Sequence, residues 1–143
     1  IAAEKAKKTA AENPGVIVLA ADTVVGVGRR ILPKTETEDE ARKCLELLSG
    51  RRHNVITGVS IVSAAGKQKT KLVVSAVKFK RLSEAEITHY INSGEWKGKA
   101  GGYAIQGHAA ALIPFISGSY SNIVGLPLHE THAMLKDAGY ERA

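Results

Sequence analysis

The sequence predicts an α/β fold with a mixed sheet. The apolar run Val16–Ala20 is typical of a buried strand, and the extended runs Asn54–Ala64 and Thr70–Arg81 indicate an antiparallel hairpin. Segments with helical patterns lie between these runs. A buried strand, a hairpin and several helices together favour a mixed sheet over a purely doubly wound parallel one.

The helices are predicted from their end signals. Ile1–Glu12 is rich in strong helix formers and is followed by the stop Asn13-Pro14-Gly15. Two further helices begin at capping boxes, Thr37 with Glu40 and Ser83 with Glu86, the latter opening Glu84–Ser93. The apolar face of the helix after Thr37 consists of Ala41, Cys44, Leu45 and Leu48. The last predicted helix runs from about Leu128 to Lys136.

Short strands and loops occupy the rest of the chain. Val24–Val27, Ile31-Leu32 and Ala111–Ile116 are predicted strands, and Ala65–Gln68 joins the two runs of the hairpin. Residues 94–103 form a glycine-rich loop, and residues 117–127 are predicted to be a second loop rich in glycine and serine.

Length and composition indicate one domain. The chain has 143 residues, of which 44% are hydrophobic and 24% charged, as in ordinary globular proteins. Aromatic residues make up only 5%, so the core must be built from Val, Ile, Leu and Ala. The chain opens at Ile1 inside a helical pattern, and its only methionine is Met134, so we expect an amino-terminal segment that is not represented.

Charge and cysteine content bear on partners and compartment. The net charge of +6 suggests an anionic partner, and its spread in ones and twos fits a phosphorylated small molecule as well as a nucleic acid. Cys44 is the only cysteine, so we read it as a small core residue in a reducing compartment, the cytoplasm. No apolar run reaches the ~20 residues that span a membrane.

Asp22 is the leading candidate for chemistry. It follows the first predicted strand, and ligands of open α/β sheets bind at the carboxyl ends of strands. A buried carboxylate without a partner costs several kcal/mol, so Asp22 should meet a metal, a lysine or a reacting water. The alternative is an acid that caps the following turn.

Other polar residues could join Asp22. Lys5 and Lys34 would suit a polyphosphate if they lay near a shared carboxylate. The amide of Gln106 could contact a base edge or satisfy loop backbone, and Gly118–Asn122 could form an anion nest or a turn. The sequence has no P-loop, no Gly-x-Ser-x-Gly elbow and no His/Cys spacing typical of a metal site.

Six groups of motifs occur together along nearly the whole chain. They are Glu4-Lys5-Ala6, Ala21-Asp22-Thr23-Val24-Val25, Pro33-Lys34, Leu48-Ser49-Gly50 with His53, Val55 and Thr57, Lys99-Ala100-Gly101-Gly102-Tyr103 with Ile105-Gln106-Gly107, and Gly118-Ser119-Tyr120-Ser121-Asn122 with Val124-Gly125-Leu126-Pro127. In this order they resemble the Maf family of nucleoside triphosphate pyrophosphatases.

The resemblance implies a two-lobed α/β fold akin to inosine triphosphate pyrophosphatases, with the active site in the cleft between the lobes. It implies hydrolysis of a nucleoside triphosphate to the monophosphate and pyrophosphate with a divalent cation, Mg²⁺ or Mn²⁺, in nucleotide house-cleaning. Asp22 matches the family's proton acceptor, and Lys5 and Lys34 match its active-site lysines. Thr23 and Gln106 match the positions that separate substrate branches, and they resemble the branch acting on dTTP and UTP.

The chain departs from the family at its start. From the resemblance we expect residues 1–143 to form a single Maf-like domain that lacks the family's opening strand and its Ser-x-Ser-Pro-Arg-Arg segment, which contacts phosphates in the family. Two other functions stay open: a non-catalytic regulator of cell division, since the family also carries a septum-formation label, and a basic nucleic-acid-binding module. The metal ligands are not identified, and the oligomeric state is open between a monomer and a homodimer.

Overall fold

A computed structural model describes residues 1–141. Its strands are β1 (Val18–Val27), β2 (Arg30–Leu32), β3 (Arg52–Val62), β4 (Gln68–Lys78) and β5 (Phe115–Ser117). Its helices are α1 (Ala2–Glu12), α2 (Glu38–Leu48), α3 (Glu84–Ser93), α4 (Tyr120–Val124) and α5 (Leu128–Asp137), with a 3₁₀ helix at His108–Leu112. No helix within this part of the chain is long and apolar enough to cross a membrane.

The strands form one sheet in the order β2-β1-β3-β4-β5. The predicted α/β class is confirmed, but the expected mixed sheet is antiparallel in each of its four described pairings. The connections explain the difference. Tight hairpins join β1 to β2 and β3 to β4, and the chain returns through α2 to place β3 antiparallel to β1. The two lobes, the likeness to inosine triphosphate pyrophosphatases and the single domain stay predictions.

The elements with strong local signals lie where they were predicted. Helix α1 ends at Glu12 before Asn13, and both capping boxes are formed, with Thr37 and Ser83 accepting from the backbone N–H of the glutamate three residues later. The apolar face of α2 is buried, including Cys44 at 3% exposure, so its role as a core residue is confirmed. The hairpin of β3 and β4 is also confirmed, with ends shifted by about two residues.

The observed length of β1 changes the predicted position of Asp22. The run from Val16 does not end before Asp22, because β1 continues through Val27 and pairs with β3 over nearly its whole length. Asp22 therefore lies in the middle of a strand, opposite Gly58, and not at a strand's carboxyl end. The strand is also only partly buried, with Leu19 exposed.

Two other segments differ from their predictions. The expected strand Ala111–Ile116 begins as part of the 3₁₀ helix, and only Phe115–Ser117 is extended. The expected loop 117–127 contains α4, because the Ser119 hydroxyl accepts from the Asn122 N–H and caps a helical turn. Asn122 is fully buried and its side-chain NH₂ donates to the carbonyls of Val55 and Val73, so this segment anchors to the sheet instead of presenting an open nest.

The sheet packs helices on both faces. Successive side chains of a strand point to opposite faces. Val25 of β1 joins the main core beneath α2 and α3, whereas Val18 packs with Ala6 of α1 in a smaller cluster on the other face. Helix α1 therefore lies on the same face as Asp22.

A group of buried aromatic rings lies in the main core. His53 is 2% exposed, stacks on Phe79 with ring centroids 5.7 Å apart, and its Nε2 lies 2.6 Å from the Tyr103 hydroxyl. Burial lowers the pKa of His53 to about 4 and raises the pKa of Tyr103 well above its usual value. Both side chains are therefore neutral near pH 7.

His53 should make stability depend on pH. Its folded pKa lies below the value of about 6.5 in an unfolded chain, so unfolded protein binds the extra proton between these values. Stability should fall by up to roughly 3 kcal/mol as pH drops from about 6.5 to about 4. Urea unfolding across this range should show a flatter pH dependence for His53→Phe than for the wild type. His132→Phe, at an exposed histidine, is the control, and equal slopes for His53→Phe and the wild type would contradict the account.

Candidate active site

One cleft gathers most of the predicted site residues. It has a volume of about 260 Å³ and is lined by residues from α1, β1, the segment after β2, the glycine-rich loop and α4. The polar and charged side chains in its wall are Lys5, Asp22, Thr23, Lys34, Lys99 and Tyr103. The structure thus brings together Asp22 and both predicted lysines, although they come from three separate segments.

Among residues 1–141, the Asp22 carboxylate is the only acid in this wall. Its side chain is 19% exposed, and Lys5 Nζ lies 3.8 Å from its Oδ1. The packing of α1 sets this approach. Gly58, opposite Asp22, has no side chain, and a Cβ there would lie 3.7 Å from Ala2 of α1. Because Lys5 is 55% exposed, water screens the ion pair, and it contributes under about 1 kcal/mol to stability.

Backbone hydrogen bonds to the glycine-rich loop form a ladder that holds the Lys34 segment at the cleft. Lys34 forms an isolated antiparallel bridge with Ala100, the Thr35 N–H donates to the Lys99 carbonyl at 3.1 Å, and the Gly98 N–H donates to the Thr35 carbonyl at 2.8 Å. This ladder brings a third lysine, Lys99, into the wall. Lys99 was not among the site residues predicted from the sequence, although it opens the motif Lys99-Ala100-Gly101-Gly102-Tyr103.

The cleft carries a net positive charge. The lining residues include three lysines and one aspartate, so two positive charges stay uncompensated. A concave surface of this kind attracts an anion with several charges. A polyphosphate meets that description better than a singly charged ligand.

Thr23 lies in the cleft wall with its hydroxyl committed to structure. It donates to the Gly125 carbonyl at 3.2 Å, and its Oγ1 lies 2.9 Å from Thr57 Oγ1. Thr57 is fully buried and pairs with Thr23 across β1 and β3. These bonds hold the segment after α4 against the sheet, so Thr23 shapes the cleft edge next to Asp22.

Gln106 lies outside the wall of this cleft. Its side chain is exposed and lines a separate depression of about 310 Å³ with Phe115 and Tyr120. The structure does not bring Gln106 together with Asp22 and the lysines, and its role in specificity stays a prediction.

The residues present can support a metal only with help from a ligand. Within residues 1–141, no group of three or more His, Cys, Asp or Glu side chains could hold a metal ion. Mg²⁺ typically uses one or two carboxylates and completes its shell with substrate phosphates and water. Asp22 fits that pattern as a single protein ligand.

A family model and several known proteins match most of the chain. Residues 1–138 match the family described as Maf-like protein. A protein of Caulobacter vibrioides is 56% identical over 140 residues, which are 98% of this chain and 72% of that protein. A protein of Brucella abortus (strain 2308) is 60% identical over 126 residues, 88% of this chain and 61% of its own length.

A third relative, from Granulibacter bethesdensis, is 62% identical over 123 residues, 86% of this chain and 58% of its own length. All three are named dTTP/UTP pyrophosphatase. The chain therefore spans 58–72% of the length of these relatives. From the family match and these identities, the chain belongs to the Maf-like protein family.

Proposed function

We propose that this protein hydrolyses dTTP and UTP to the nucleoside monophosphate and pyrophosphate. The observation that carries the proposal is the cleft itself, in which one carboxylate faces three lysines. A triphosphate supplies the negative charge that this cleft lacks, and the carboxylate supplies a base for water. The names of the relatives at 56–62% identity support the same reaction.

Asp22 acts as the general base. A water beside its carboxylate attacks the α-phosphorus, and Asp22 accepts a proton from that water. The new bond joins the water oxygen to the α-phosphorus, and the bond from the α-phosphorus to the bridging oxygen breaks. Pyrophosphate leaves with the electron pair of that bond.

Lys5 and Lys34 stabilise the charge that develops on the phosphoryl oxygens. Lys5 Nζ lies 3.8 Å from Asp22, so it can contact the reacting phosphoryl group next to the base. Fixed cations that face developing negative charge are among the largest contributions to catalysis. Water screens the charge of Lys5 in the free protein, so its ion pair adds little to stability. A bound nucleotide displaces this water and the screening falls.

A divalent cation, Mg²⁺ or Mn²⁺, belongs to the proposal. Asp22 would hold it together with phosphate oxygens of the nucleotide, and the cation would neutralise charge on those oxygens. We further propose a cytoplasmic location, which fits a nucleotide substrate and the free, buried thiol of Cys44.

Thr23 and Gln106 are the proposed determinants of base preference. A glutamine amide both donates and accepts, so it complements the acceptor–donor–acceptor edge of thymine or uracil. For Gln106 this role requires that the base reach beyond the cleft wall to the separate depression that Gln106 lines. Thr23 acts through the shape of the cleft edge that its hydroxyl bonds hold.

Replacing the base is the first test. Asp22→Asn keeps the side-chain shape and removes the proton acceptor, so dTTP hydrolysis should fall at least ~100-fold while the fold is kept. Pyrophosphate release gives the rate and thermal unfolding reports the fold. Asp39→Asn, at an exposed aspartate of α2, is the matched control and should keep wild-type activity. An Asp22→Asn variant with a near wild-type rate would show that the assignment is wrong.

Base preference gives a second test. Gln106→Glu removes a donor and adds a charge that repels a carbonyl, so kcat/KM for dTTP and UTP should fall about 5- to 150-fold. Purine triphosphates serve as the internal control and should lose much less. Equal losses for all bases would mean that Gln106 supports its loop and does not contact the base.

A further inference from the structure

Lys99 is the lysine of the cleft that the mechanism above does not use. It lines the same wall as Asp22 and Lys34. Its backbone is held firmly. The buried Thr35 hydroxyl donates to the Trp96 carbonyl at 2.6 Å, and the Thr35 N–H donates to the Lys99 carbonyl at 3.1 Å. Lys34 and Lys99 therefore sit on one hydrogen-bonded unit.

The same loop is held close to β1. Gly101 has a φ of +73°, and a Cβ there would lie 3.0 Å from Cγ1 of Val25. Only a residue without a side chain permits this conformation and this approach. The Gly101 N–H also donates to the Pro33 carbonyl at 3.0 Å, which joins the loop to the Lys34 segment from its other side. Backbone contacts thus hold the main chain around Lys99 close to β1, the strand that carries Asp22.

The charges of Lys34 and Lys99 have no acidic partner. Among the described residues, the one ion pair of the cleft joins Lys5 to Asp22, and neither Lys34 nor Lys99 forms a salt bridge. Because backbone hydrogen bonds join the two residues, two uncompensated positive charges belong to one unit of the cleft wall. This arrangement therefore favours a ligand with adjacent anionic groups.

We propose that Lys34 and Lys99 together bind the pyrophosphate portion of the triphosphate, with Lys99 a substrate-binding residue; we call them the Lys34–Lys99 clamp. This inference rests on the proposed function and assigns the parts of the substrate within it. Lys5 stays beside Asp22 and the reacting phosphoryl group, whereas the clamp contacts the two phosphoryl groups that leave.

Binding of inorganic pyrophosphate tests the clamp without turnover. Calorimetric titration should show Kd raised about 10- to 100-fold by Lys99→Met, since a charge-assisted bond is lost. Lys99→Arg should keep most of the affinity. Lys97→Met is the matched control, because Lys97 lies two positions away, over the Trp96 ring and outside the cleft wall, and its Kd should change less than about twofold.

The double variant asks whether the two lysines act as one unit. The increase in Kd for pyrophosphate in the double variant, Lys34→Met with Lys99→Met, should be smaller than the product of the two single increases. Effects on binding are not additive when two residues share one ligand group. Thermal unfolding of each variant shows that it is folded, and Lys99→Arg shows that the position tolerates a long cation.

Two results would overturn the clamp: a Lys99→Met variant that binds pyrophosphate like the wild type, or a wild type without measurable binding. The hydrolysis of dTTP by the same samples separates the two proposals. Loss of pyrophosphate binding in Lys99→Met, in a protein that does not hydrolyse dTTP, supports the clamp and refutes the proposed reaction. Hydrolysis of dTTP together with unchanged binding refutes the clamp alone.

Discussion

The site depends on one constraint, a carboxylate placed in the interior of a strand where cations can reach it. Asp22 is 19% exposed, and its neighbour across the sheet is a glycine. Helix α1 packs over that glycine, where a Cβ would lie at contact distance from Ala2, and α1 carries Lys5 to within 3.8 Å of the acid. A partly buried charge needs nearby opposite charge, so the fold and the chemistry impose the same requirement here.

The rest of the cleft is built around that carboxylate by backbone hydrogen bonds. The bridge between Lys34 and Ala100 and the bonds of Thr35 join two segments far apart in sequence. On the opposite face of β1, the hydroxyl of Thr23 holds the turn after α4 against the sheet. These backbone bonds place the lysines around the cleft before substrate binds, which suits charge stabilisation at phosphorus.

Local signals predicted the parts of the structure that local interactions form. The capping box at Thr37 and the face of α2 with Cys44 follow from neighbours within four residues, and both were right. The prediction that Asp22 follows the end of a strand was wrong, because β1 continues past Asp22 through its pairing with β3. Lys99 was missed because its approach depends on the ladder with the Lys34 segment. The motifs correctly indicated that Asp22, Lys5 and Lys34 lie near one another. They could not show that Gln106 lies outside the cleft wall.

The central claim is that water attacks the α-phosphorus beside Asp22. Hydrolysis of dTTP in water enriched in the heavy isotope of oxygen tests it most directly, with mass spectrometry of both products. The account predicts that the heavy oxygen appears in the nucleoside monophosphate and that pyrophosphate stays unlabelled. Labelled pyrophosphate, or release of orthophosphate in its place, would contradict attack at the α-phosphorus and with it this interpretation of the site.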